Sequence, residues 1–255
     1  MKQLFFLISI LAVYLPPESC TSSTSMPQGK IQQEAKIGGG FAVLELFTSQ
    51  GCSSCPPADK LLSKIRSEKN VYALSFHVDY WNRLGWKDPF SDPAFSARQS
   101  AYASSLGSEN VYTPQLVVNG REEMIGSDEN KIEKAIEKFK AERTGTQLTI
   151  DSVKTGDSKI SVTYTVDGNV INSVLQVALI QNSATTSIRS GENRGLQITN
   201  NNIVRTLTTI KLNSNGTGHT VIQSLPGIQW KELSVIMYVQ ELNTQKITAA
   251  VKADL

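Results

Sequence analysis

The sequence predicts an α/β unit followed by an all-β unit, on three observations. Between Phe41 and Arg143, apolar runs of strand length alternate with stretches of helical period. A Cys52-Ser53-Ser54-Cys55-Pro56-Pro57 stretch stands where the first apolar run gives way to the first helix. Beyond Thr144 the helical period vanishes, and short β-rich runs alternate with turn residues. A chain of 255 residues, 40% of them hydrophobic, can bury one or two cores, and the change of pattern favours two. The division read from it is a first domain over 41–143 and a second over 146–255.

FAVLELF (41–47) is continuously apolar apart from Glu45, which predicts a central strand buried on both faces. Pro56-Pro57 opens a helix, because a proline there lacks only an amide that would have no partner, and Ala58, Leu61, Leu62 and Ile65 form its apolar face. VYALSFHV (71–78) is a second strand, and PAFSARQSAYASSLG (93–107) a second helix that stops at Gly107. QLVVNGREEMIG (115–126) is a hairpin with a two-residue turn at Asn119-Gly120. SDENKIEKAIEKFKAE (127–142) is an amphipathic helix capped by Ser127 or Asp128. A β-α-β unit with C-x-x-C at the start of its helix resembles the thioredoxin arrangement, and the hairpin and last helix complete it. The seven runs beyond Thr144, from QLTIDSV to QKITAAVK, are separated by GD, DGN, NSNG and NT turns and read as a β-sandwich.

The first residues, MKQLFFLISILAVYLPPESC, combine a positive Lys2 with an apolar run, Leu4 to Leu15, too short for a comfortable membrane span. They read as an export signal over 1–20, which directs the protein to the periplasm or cell envelope. Cys20 stands where a lipoprotein signal places its acylated cysteine, so a lipid tether to the membrane and simple cleavage nearby are both open. Residues 21–40, rich in Ser, Thr, Gln and Gly, form a flexible leader. A net charge of +2 with no basic stripe argues against a nucleic-acid partner.

With Cys20 set aside, Cys52 and Cys55 are each other's partners in the mature chain. Free amides and the dipole at a helix N-terminus favour a thiolate, which makes Cys52 the nucleophile and Cys55, one turn in, the resolving thiol. Glu45 shares a strand face with Val43 and Phe47 and is a candidate base under the helix, the alternative being a solvated edge residue. Thr113-Pro114 precedes a strand where the thioredoxin fold places a cis-proline, with Thr113 offering its backbone to substrate; an ordinary trans proline is the alternative. FHVDYWNRLGWKDPF (76–90) gathers His77, Asp79, Tyr80, Trp81 and Trp86 beyond the second strand, as a wall facing substrate or as residues that pack the loop down. SGENRGLQ (190–197), with Arg189, Glu192 and Arg194 in or beside it, reads as an exposed connector, with an interdomain contact or ligand site as the alternative.

The segments ELFTSQGCSSCPPAD, FHVDYWNRLGWKDPF, AFSARQSAYA, VYTPQLVVNG and GENRGLQITNNNIVRTL together resemble a bacterial family of exported thioredoxin-like proteins, domain of unknown function 1223. The resemblance covers about residues 41–250 and implies a thioredoxin-like domain with a β-rich extension. It implies Cys52 and Cys55 as the redox pair and Pro114 as the cis-proline. Gly51 stands where the well-known redox members carry a tryptophan, and Ser53-Ser54 replaces their dipeptides.

Three functions follow. One is a cell-envelope thiol-disulfide oxidoreductase, with no cofactor, acting on a protein or small-molecule thiol or disulfide and served by a redox partner protein. Another is a copper carrier with Cys52, Cys55 and His77 as ligands, against which stand the scarcity of histidine (His77 and His219) and of nearby methionine. A third is a binding module in which the pair is a permanent disulfide.

Overall fold

The computed structural model describes residues 39–108, 110–212 and 216–255. The export signal, Cys20 and all but the last two residues of the leader lie outside them. The elements run β1 (Ala42–Thr48), α1 (Pro56–Ile65), β2 (Val71–His77), α2 (Pro93–Leu106), β3 (Gln115–Val118), β4 (Glu122–Ile125) and α3 (Glu129–Ala141). They continue with β5 (Gln147–Thr155), β6 (Lys159–Asp167), β7 (Ser173–Ser187), β8 (Gln197–Lys211), β9 (Thr217–Gln223), β10 (Leu233–Glu241) and β11 (Ile247–Asp254).

Local chemistry explains the helix ends. Asp92 caps α2 by accepting from the Ala94 amide at 2.8 Å, and Gly107 closes it at φ 69°. Asp128 caps α3. The β3–β4 turn departs from the expected two-residue form: Asn119 and Gly120 are left-handed, at φ 48° and 65°, but Val118 pairs with Glu122, which leaves Arg121 as an extra residue. Asn119 has a second duty that fixes this turn, since its side chain accepts from Val43 N and donates to Phe41 O.

A mixed α/β architecture results, built on one large sheet of eight strands in the order β11-β10-β7-β8-β2-β1-β3-β4. Strands β5, β6 and β9 form a second, three-stranded sheet. The seven β-rich runs all become strands, but four of them extend the first sheet instead of closing a separate sandwich. The join is a parallel contact of β2 with β8, Ser75 opposite Ile203. Asn202, left-handed at φ 50°, donates from Nδ2 to Ala73 O across this join, and Arg66 at the end of α1 bonds Asn182 O and Asn202 Oδ1.

Three apolar cores follow from strand alternation. Leu44, Leu46, Leu116 and Val118 face α1 and α3. Leu175, Val177, Val235 and Met237 face the three-stranded sheet. On the opposite face, Phe47, Phe76, Ala178, Ile180, Ile236 and Tyr238 pack with Phe95 and Tyr102 of α2, so one core spans both halves of the chain.

Glu45 lies in that spanning core. Alternation sends it to the face of Val43 and Phe47, away from α1, so it is not under the helix that carries Cys55. Its buried carboxylate takes a bidentate contact from Arg98 of α2, closest at 2.8 Å, and a hydrogen bond from Tyr238 Oη of β10 at 2.6 Å. Arg98 also donates to Tyr102 Oη and Gln240 Oε1. Burial above all pushes the Tyr102 and Tyr238 hydroxyls well above their ordinary pKa, which keeps them protonated donors. Replacing Arg98 with Met strands the Glu45 charge, and chemical denaturation should show a loss of about 3–5 kcal/mol. Tyr238→Phe, which removes one neutral donor, should cost about 1–3 kcal/mol.

Candidate functional site

The site forms where β1 and β2 end and α1 begins. Cys55 caps α1 and Cys52 lies one turn earlier; a disulfide joins them, with Cα atoms 5.4 Å apart. Both residues are fully buried. The Thr113–Pro114 peptide bond is cis, and the Thr113 carbonyl oxygen lies 3.9 Å from Cys52 Sγ and accepts from Ser54 Oγ at 3.4 Å. Gly51 leaves room for an aromatic ring from elsewhere in the chain: a Cβ there would stand 3.3 Å from Trp81 Cβ. The Trp81 indole then donates to Thr113 Oγ1 at 2.8 Å.

Beneath the pair lies a buried polar cluster. Thr48 and His77 end adjacent strands in register and share the α1 face. Asp59, four residues after Cys55 and so on the same side of α1, accepts from Thr48 Oγ1 at 3.3 Å. Burial raises the Asp59 carboxyl from an ordinary 3.8 to about 6, against the pull of His77 and of the Thr48 hydroxyl. His77 Nδ1 lies 2.7 Å from Asp88 Oδ2. Burial opposes a charge on His77, but the Asp88 carboxylate raises its pKa above the ordinary value. For Asp88 burial is outweighed by His77 and by the amides of Gln50 and Phe90, and its pKa falls below the ordinary range. His77 Nε2 finds no partner among the described residues, and the Asn200 side chain lies close enough to Asp59 to pull its pKa down.

Long-range contacts complete the site. Gln50 donates from Nε2 to Asn200 Oδ1 of β8 at 2.9 Å and accepts from the Trp86 indole at 3.2 Å. The connection between β7 and β8 folds over the cysteines: Asn193 Nδ2 lies 2.9 Å from both Gln50 O and Cys52 O, and Glu192 Oε2 accepts from Ser53 N at 3.1 Å. The exposed connector expected at 190–197 is therefore in contact with the cysteine pair.

A family profile described as "Protein of unknown function (DUF1223)" matches residues 43–240. The chain belongs to the DUF1223 family. An Archaeoglobus fulgidus protein called a probable thioredoxin is 30% identical over 101 residues, which are 39% of this chain and 91% of that protein. A crystal structure of an Agrobacterium tumefaciens protein superposes on this DUF1223 chain with a TM-score of 0.68 at 29% identity, over 87% of this chain and 95% of that one. HBP35 of Porphyromonas gingivalis shares the fold at 16% identity, with a TM-score of 0.60 over 87% of this chain and 77% of that one.

In this DUF1223 protein Cys52, Cys55, Thr113, Pro114, Tyr80, Trp81, Trp86 and His77 come together, whereas two expected residues point elsewhere. Glu45 serves the opposite face. Asp79 accepts from Ser96 Oγ through its carboxylate and donates its amide to the same oxygen, which pins the start of α2. The Tyr80 hydroxyl stays at the site, donating to Gln99 Oε1 at 3.3 Å and lying beside the Thr113 side chain. Sequence reasoning missed Asp59, Asp88, Gln50, Asn193 and Asn200. All five stood inside quoted motifs, but an acid in the first turn of a helix and one in a loop are ordinarily capping or solvated residues, and nothing local tied Asn193 or Asn200 to the cysteines.

The raised Asp59 pKa means the folded state holds that proton more tightly than the unfolded chain, so this carboxyl's contribution to stability is fully present below about pH 4 and is lost as pH rises to about 6. Asp59→Asn should therefore stabilise the oxidised protein by up to about 3 kcal/mol at pH 7, with no gain near pH 4, in thermal unfolding followed against pH.

Proposed function

We propose that Cys52 and Cys55 are the working pair of a thiol-disulfide oxidoreductase of the cell envelope, carried on a thioredoxin-like half whose sheet continues into a β-sandwich half. The observation that carries this reading is the pair at the start of α1, set against the cis Thr113–Pro114 bond with a buried, proton-holding carboxyl one turn below. In reduction of a substrate disulfide, the Cys52 thiolate attacks one substrate sulfur; a Cys52–substrate bond forms, the substrate bond breaks, and the leaving sulfur takes a proton. Cys55 then gives its proton to ionised Asp59 and attacks Cys52 Sγ. This step restores the Cys52–Cys55 bond and releases the second substrate thiol, so two electrons have passed from the pair to the substrate. Oxidation is the same path reversed.

The substrate is a protein or small-molecule disulfide, and a separate redox partner protein resets the pair. An exported location suits a disulfide, which persists in oxidising compartments. The copper alternative needs both sulfurs reduced, and copper titration of the reduced protein, watched for a thiolate charge-transfer band, separates it from the exchange reading.

Full burial of both cysteines favours a second reading, a permanent disulfide in a binding module. Equilibration against glutathione buffers with alkylation trapping separates the two: a midpoint in the range of exchange catalysts supports catalysis, and a pair oxidised at every ratio supports the structural bond. Cys52→Ala should abolish disulfide exchange, and activity equal to the parent would overturn the oxidoreductase reading. Asp59→Asn should slow resolution roughly 10²-fold above pH 6, where the native carboxyl is ionised, and far less at pH 5; accumulation of the Cys52 mixed disulfide reads this out.

A further inference from the structure

The β7–β8 hairpin extends fifteen-residue strands to the redox pair and ends in a compact connection, residues 188–196. Its fold is self-contained: Gly195 N bonds Ile188 O, Ile188 N bonds Leu196 O, and Leu196 N bonds Asn193 O. Gly191 and Gly195 adopt left-handed backbone, at φ 77° and 89°. The connection touches the rest of the molecule at two separate places. On one side Asn193, only 4% exposed, bridges Gln50 O and Cys52 O, while Glu192 occupies the Ser53 amide. On the other, Ser190 Oγ donates to Gly85 O at 2.6 Å, and Gly191 packs so closely on Trp86 that an added Cβ would stand 3.1 Å from Trp86 Cβ.

A substrate sulfur must approach Cys52 Sγ along the axis of the bond it breaks, yet Cys52 exposes none of its surface. Ser54 Oγ and the Thr113 carbonyl lie against Cys52 Sγ, while this connection holds the Cys52 carbonyl and the neighbouring Ser53 amide. Glu192 adds a charge argument. Reduction places a thiolate on Cys52, next to the Ser53 amide that Glu192 already holds, and like charges in a shared site repel. The reduced pair therefore favours release of the connection and the oxidised pair favours its closure.

We propose that residues 188–196 are a substrate-selecting cover over Cys52, with Asn193 as the positioning residue that latches it, and that closure excludes bulky protein disulfides more strongly than small thiols. The inference rests on the redox reading of Cys52 and Cys55 for its biological meaning, but access to the disulfide is measurable without catalysis. In the probe reaction a dithiothreitol thiolate attacks Cys52 Sγ and the Cys52–Cys55 bond breaks. The leaving Cys55 sulfur takes a proton, and the second dithiothreitol sulfur then displaces Cys52 as it closes its own ring.

The experiment follows reduction of the pair in the full chain by dithiothreitol and by a cysteine-containing peptide of about fifteen residues, in the parent, Asn193→Ala and Ser190→Ala. Asn193→Ala should accelerate reduction roughly 10-fold with the peptide and less with dithiothreitol, as expected for loss of two buried hydrogen bonds. Ser190→Ala, which removes the hydrogen bond to Gly85 O, should shift both rates in the same direction by a smaller factor. Unchanged rates in both variants overturn the cover. Acceleration in Asn193→Ala alone also overturns it, because that pattern reports a local disturbance of the Cys52 backbone. Should the variants open the pair while no chain turns over a protein disulfide, the cover stands and the oxidoreductase reading fails.

Discussion

The parallel contact between β2 and β8 is the interaction on which the rest of this molecule depends. It is short, with Ser75 opposite Ile203, yet it turns two sets of strands into one sheet. Asn202 and Arg66 seal it, Asn202 by bonding the β2 backbone and Arg66 by tying the end of α1 to β7 and β8. Because β8 lies beside β2, the β7–β8 hairpin runs along α1 and its tip falls on the cysteines. Asn200 reaches Gln50 for the same reason.

Strand alternation then sorts the buried charges into two jobs. On the face of Val43 and Phe47, Glu45 meets Arg98 and Tyr238, an ion pair that joins β1, α2 and β10. Every partner there is satisfied, and the group ties the halves of the chain together. On the α1 face, Thr48, Asp59, His77 and Asp88 gather under the cysteines with a proton held near neutrality and with His77 Nε2 unpartnered among the described residues. One cluster holds a neutralised ion pair, and the other a carboxyl whose pKa burial raises to about 6. The two lie on opposite faces of the same sheet.

Much of the fold was legible in the sequence because it is written in local chemistry. The paired prolines, the Asp92 and Asp128 caps, Gly107 and Asn119-Gly120 each act within a few residues, and the strands and helices they bound form where expected. The sequence-local part of the site was legible too: Cys52 and Cys55 are separated by a single turn, and Thr113-Pro114 stands just before a strand. Glu45 was misplaced for a definite reason. Its face was read correctly from alternation, but which helix covers which face depends on how the chain crosses the sheet.

Local spacing already set the elements, the cysteine pair and the family pattern, since it governs helix starts, turns and the reach between neighbouring sulfurs. Contacts across the chain decided that the β-rich half continues the first sheet, that Glu45 serves the face opposite α1, and that Asn193 and Glu192 bond the Cys52 carbonyl and the Ser53 amide. These outcomes depend on contacts between residues more than a hundred positions apart, such as Asn193 with Cys52 and Tyr238 with Glu45, for which the local sequence carries no period, cap or turn.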